Sequence, residues 1–86
     1  MSFVRIAPNP FHNETVLQFE LPESADVALR IVNVQGQMVH SRKISLQGGL
    51  AEIVIQQTDI LEPGIYWCEI QSRFGIIRKK IVLLGN

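Results

Sequence analysis

Between Asp26 and Val32, the residues Val27, Leu29 and Ile31 fall at every second position. In a strand that period sends all three side chains to one face, which must then be covered. The run stops at Asn33-Val34-Gln35-Gly36-Gln37. Asparagine and glycine reach the positive φ that a tight reversal needs, and a second segment, Met38 to Ile44, follows at once. Ala25 to Ile44 therefore predicts a β-hairpin turning at Gly36. Val39 is expected to face the core beside Val27, Leu29 and Ile31, with Arg42 and Lys43 in solvent.

The flanking segments carry the same signal. Phe3 to Ala7 is short and apolar and ends at Pro8-Asn9-Pro10, two residues without amide donors, so it reads as an edge strand. Phe11 to Glu14 continues that turn. Thr15 to Leu21 alternates, with Leu17, Phe19 and Leu21 opposite Gln18 and Glu20, until Pro22-Glu23-Ser24 breaks it. After the turn Gln47-Gly48-Gly49, the strand Leu50 to Ile55 presents Ala51, Ile53 and Ile55 on one side. Gln56 to Pro63 reads as a polar connection. Ile65 to Gln71 puts Tyr66, Cys68 and Ile70 together, and Ser72-Arg73-Phe74-Gly75 turns into a last strand, Ile76 to Leu84. About seven short strands without a helical period predict an all-β fold, an immunoglobulin-like antiparallel β-sandwich. Gly64-Ile65-Tyr66-Trp67-Cys68 fits the sixth strand of such a sandwich, where the tyrosine hydroxyl bonds back to the corner before it. The second cysteine of a true immunoglobulin pair is absent from the chain.

Size and charge narrow the function. A chain of 86 residues reads as a single domain, 1–86, with 1–5 as a linker or the start of an excised piece. At this length folding removes about 60% of the unfolded chain's surface from water, enough for a core without staples. Eight Lys plus Arg balance eight Asp plus Glu, which argues against a nucleic-acid partner. The lone Cys68 leaves the redox compartment open. No apolar run approaches a membrane span, and a leader peptide, if the protein is exported, is expected outside this stretch.

Catalytic and metal chemistry finds little support. His12 and His40 lack the paired spacing of zinc ligands and read as solvated surface residues. Cys68 lies on the expected core face, where a thiol is inert. Asp26, Asp59, Glu14 and Glu62 are scattered, with no calcium-loop pattern. No catalytic residue, cofactor or metal site is expected. The last strand is the unusual one: Arg78-Lys79-Lys80 precede Ile81-Val82-Leu83-Leu84, four apolar residues that break the alternation. Either the domain covers both faces of that strand, or a partner reads one face or the open edge by adding a strand.

Pro8-Asn9-Pro10-Phe11, the strand to Leu21-Pro22, the Asn33 to Gln37 turn, Leu61 through Tyr66 and the terminal Arg78-Lys79-Lys80-Ile81-Val82, taken in order, resemble one family. It is the type A carboxyl-terminal sorting domain of the type IX (Por) secretion system of Bacteroidota. The resemblance spans about Ile6 to Leu84. It implies a non-catalytic domain at the end of a secreted cargo protein. The outer-membrane translocon would recognise it, and a sortase would cleave it and join the cargo to the cell surface, which the cargo reaches through the periplasm. By this likeness Pro8, Asn9 and Pro10 match the amino-terminal turn motif, Gly36 the central turn, and Gly64 and Tyr66 the late-strand motif. Arg78, Lys79, Lys80, Ile81, Val82, Leu83 and Leu84 would form the signal the translocon reads. The tail Leu83-Leu84-Gly85-Asn86 runs past the lysine-valine ending of many members. A competing reading is an immunoglobulin-like adhesion or carbohydrate-binding accessory module, kept in the mature protein and using Trp67 or Phe74 as a platform. Exposed edge strands would also allow a weak dimer.

Overall fold

Seven strands and one helical turn make up the computed structural model, which describes residues 1–85. The strands are β1 (Ser2–Ala7), β2 (Glu14–Leu21), β3 (Ala25–Asn33), β4 (Met38–Leu46), β5 (Gly49–Gln56), β6 (Gly64–Ser72) and β7 (Gly75–Leu83). They form a three-stranded sheet, β1-β2-β5, and a four-stranded sheet, β4-β3-β6-β7, with antiparallel pairing throughout. The architecture is the expected all-β sandwich. Its fourth strand pairs with the third, unlike the constant-type immunoglobulin arrangement in which that strand joins the other sheet.

Alternation builds the core as the sequence requires. Leu17, Phe19 and Leu21 from β2, Val27, Leu29 and Ile31 from β3, Ala51, Ile53 and Ile55 from β5, and Tyr66, Cys68 and Ile70 from β6 are all buried between the sheets. The β3–β4 turn also forms as expected. Gly36 has φ +83°, and the Asn33 side-chain oxygen accepts from the Gln35 and Gln37 amides at 3.0 and 2.9 Å. β1 is an edge strand as expected, and Ser2 to Arg5 belong to it rather than to a linker, with Ser2 opposite Glu20 and Phe3 opposite Phe19.

Strand β4 departs from the sequence reading. Ile31 pairs with His40 but Val32 pairs with Met38, so Val39 is an extra residue at a bulge. The even residues after it, His40, Arg42 and Ile44, stand opposite Ile31, Leu29 and Val27. Val39 is exposed and Arg42 is half-buried, the reverse of the expectation, while Lys43 stays in solvent. Arg42 lies at the rim of the sandwich, where its guanidinium reaches the other sheet and donates to the Val54 carbonyl. His40 is half-buried rather than solvated, with Nε2 enclosed.

Two further corrections concern short segments. The connection after β5 contains a single helical turn, α1 (Gln57–Ile60), too brief to show a period, and it buries Ile60. Its start is held by Asp59, whose carboxylate accepts from the Gln56 amide at 2.9 Å. Phe11, read as part of a turn, is a core residue only 1% exposed.

Candidate functional site at the end of the last strand

The alternation of β7 persists to its end. Ile81 and Leu83 are buried opposite Tyr66 and Gly64 of β6, whereas Val82 is half-buried and Leu84 is 40% exposed. The four apolar residues are thus two inward and two outward, not one sheath covering both faces. The cations before them separate in the same way. Arg78 and Lys80 share the outer face with Val82, and Arg78 lies over the Trp67 ring of β6, 4.6 Å from its centroid. Lys79, on the inner side, sits at the rim between the sheets with its ammonium 4.4 Å from the centre of the Phe3 ring of β1.

The edge of β7 is partly occupied by the chain itself. The Asn9 side chain donates from Nδ2 to the Lys80 carbonyl and accepts from the Val82 amide, both at 2.9 Å. Phe11 continues the row: its amide donates to the Val82 carbonyl at 2.9 Å, and its carbonyl accepts from the Leu84 amide at 2.8 Å. A short parallel bridge, Phe11 with Leu83, results. Phe11 enters the core directly below, and the buried Thr15 hydroxyl donates to the Pro8 carbonyl at 2.5 Å. The peptides preceding Pro8 and Pro10 are both cis. An asparagine amide here takes the place of a strand's own N–H and C=O, so Pro8 to Phe11 forms a bracket on β7.

Five of the residues matched by family likeness therefore flank the end of β7 from its two sides. Pro8, Asn9 and Pro10 make the bracket; Gly64 pairs with Leu83 and Tyr66 with Ile81. Gly64 has φ +155°, and the buried Tyr66 donates its hydroxyl proton to the Glu62 carbonyl at 2.5 Å, the expected tyrosine corner. Burial, and then the Glu62 carboxylate, raise the Tyr66 phenol above its ordinary value, so it stays a donor. Gly36 serves its own turn. Phe11 was missed from sequence because its apolar character was isolated among turn residues. The two-sided bonding of Asn9 depends on a strand some seventy residues away and left no local signal. Asn86, the last residue of the proposed signal's tail, lies outside the described residues.

Cys68 is buried, and desolvation first, with Glu69 adding to it, pushes its thiol up to about 12. Among the described residues no three His, Cys, Asp or Glu side chains are grouped to hold a metal ion. Trp67 and Phe74 are each half-buried, with the guanidinium of Arg78 over one ring and that of Arg73 over the other, at 4.6 and 4.7 Å. Neither ring offers the bare exposed platform that a carbohydrate module would use.

Residues 5–84 match the family model described as the secretion system C-terminal sorting domain. The chain belongs to this type IX (Por) sorting-domain family. Membership makes the sorting domain a carboxyl-terminal signal of type IX secretion, for proteins released or displayed at the cell surface by way of the outer membrane. Domains of this family are in general not catalytic, and they act with the secretion machinery and a cargo region amino-terminal to them. No curated protein matches the chain. Among solved structures, the sorting domain is similar to part of dimeric latent PorU from Porphyromonas gingivalis. The TM-score is 0.70 at 20% identity, over 98% of this chain and 9% of that one. At that identity the likeness supports the sandwich fold. Because the match spans so small a share of PorU, the activity of that protein is not carried over.

Proposed function

We propose that this sorting domain, residues 1–86 taken as a single domain, carries a cargo protein through the type IX outer-membrane translocon and on to sortase-mediated attachment at the cell surface. The translocon reads the outward row of the last strand: Arg78, Lys80, Val82 and Leu84. One observation carries this reading. The bracket of Asn9 and Phe11 holds the end of β7 from outside while Ile81 and Leu83 anchor it from within, so the outward row is presented in fixed register. Lys79, Ile81 and Leu83 belong to the signal by holding that register.

The test is a reporter fused in front of residues 1–86 in a type IX-competent bacterium, with Lys80→Glu and Leu84→Glu introduced separately and together. Both residues are exposed, so the variants retain the β-sheet circular-dichroism spectrum and thermal transition of the parent. Surface delivery of the double variant is expected to fall at least tenfold. Delivery at the parental level by a double variant with an intact fold would remove the outward row from the signal. Deleting residues 81–86 is the less informative experiment, since it also strips Ile81 and Leu83 from the core.

A further inference from the structure

The half of the β7 edge that the bracket leaves open has a definite polarity. In an antiparallel ladder, the residues that bond to one neighbour alternate with those whose N–H and C=O face the other side. Asn9 and Phe11 bond the Lys80 carbonyl, both groups of Val82 and the Leu84 amide, so the even residues face away from β6. By the same alternation the amide and carbonyl of Ile76, the amide and carbonyl of Arg78 and the amide of Lys80 point outward. Among the described residues none of these groups has a partner beyond the sheet. The open edge is thus five residues long, begins at the 61% exposed Ile76, and ends where Asn9 closes it.

Charge selects what can pair there. An added strand would bring its side chains within about 5 Å of those directly opposite. A second copy of this chain, pairing antiparallel about Arg78, would set Arg78 against Arg78; a shift by one register step either sets Arg78 against Lys80 or leaves only Ile76 to Arg78 of the open edge paired. Like charges directly opposite destabilise a ladder, so the row repels self-pairing. Glu69 offers little neutralisation, because it stands beside Arg30 at 3.9 Å as well as opposite Arg78. We propose that Ile76 to Lys80 is a β-augmentation site for a short acidic strand of another protein. That strand carries carboxylates at alternate positions facing Arg78 and Lys80, and it stops short of the Asn9 bracket. The proposal rests on the sorting-signal reading for its biological setting, and names the chemistry of the partner segment that such a reader would present.

A blocked five-residue peptide alternating glutamate with valine tests it, with the lysine-valine peptide and a scrambled glutamate peptide as controls. On binding, the Ile76, Arg78 and Lys80 amides are expected to slow in hydrogen exchange by at least tenfold. The Val82 and Leu84 amides, already bonded, should not change. The lysine peptide should bind at least tenfold more weakly, and added salt should narrow that gap. Arg78→Pro is the harsher variant: the Arg78 amide faces outward, so proline there keeps the ladder to β6 while removing from the partner both a backbone donor and the guanidinium. It should retain the sheet spectrum and lose the glutamate peptide. Arg78→Glu gives a second variant with the backbone intact, and should exchange the preference toward the lysine peptide. Equal binding of both peptides, unchanged exchange at Ile76 and Arg78, or a concentration-dependent dimer protecting those same amides would overturn the proposal. Peptide failure accompanied by lost export of the outward-row variants would sink this site alone and leave the sorting reading standing.

Discussion

Tyr66 shows how far a single residue can be read from sequence. Its place after a Pro-Gly corner was enough to anticipate a hydroxyl bonded to the chain just upstream, because both partners lie within four residues of each other. Tyr66→Phe should cost about 1 kcal/mol, the net worth of one such bond, and be measured as a lower urea midpoint with an unchanged slope. Cys68 yields a prediction of pH dependence. Its thiol is held protonated in the fold up to about 12 against an ordinary 9.0. Above that ordinary value the unfolded chain gives up a proton that the folded chain keeps, so the unfolded state gains. Stability from this source is intact below about pH 9 and declines as pH rises toward 12. Tyr66, also raised, loses its contribution on the alkaline side. Urea midpoints measured at increasing pH should fall more gently in Cys68→Ala than in the parent. Arg42 and Val39 were illegible for the opposite reason to Tyr66: a bulge one residue long reverses which side chains face inward, and nothing in the local spacing marks it.

At the scale of the element, β7 and its bracket depend on each other. The inward residues of β7 were legible as apolar, but their partition from Val82 and Leu84 required the register with β6. The bracket was legible only as a turn, since proline and asparagine announce a chain reversal without indicating which distant backbone the amide will bond. Asn9→Ala removes two hydrogen bonds at an exposed site, where water can replace them in part. The expected loss is about 1–2 kcal/mol. Its location is the sharper readout: the Val82 amide should lose its exchange protection, while the Ile81 amide, bonded within the sheet, keeps it. Equal loosening of both amides would mean that the bracket supports the whole sheet rather than the strand's outer edge.

Across the whole molecule, both open sides of the sandwich are closed by a cation from the four-stranded sheet that reaches the other one, Arg42 to the Val54 carbonyl and Lys79 to Phe3. The fold class was legible because alternation and turn residues recur along the chain, and the core they define is continuous. That continuity makes the proposed signal and stability inseparable at the carboxyl end. A chain of 86 residues has roughly 4–13 kcal/mol of stability at 0.05–0.15 kcal/mol per residue. Ile81 and Leu83 are 0% and 2% exposed, and truncating a buried aliphatic side chain to alanine costs about 2–5 kcal/mol apiece. Deleting residues 81–86 removes both, uncovers Phe11 and leaves the edge of β6 beside Gly64 and Tyr66 without its partner. The summed cost reaches the stability of the whole domain. The truncated chain should therefore show no cooperative thermal transition and a disordered circular-dichroism spectrum, whereas Lys80→Glu with Leu84→Glu keeps both. A truncated chain that melts cooperatively near the parental temperature would mean that β7 lies outside the cooperative core, and would separate the signal from the fold after all.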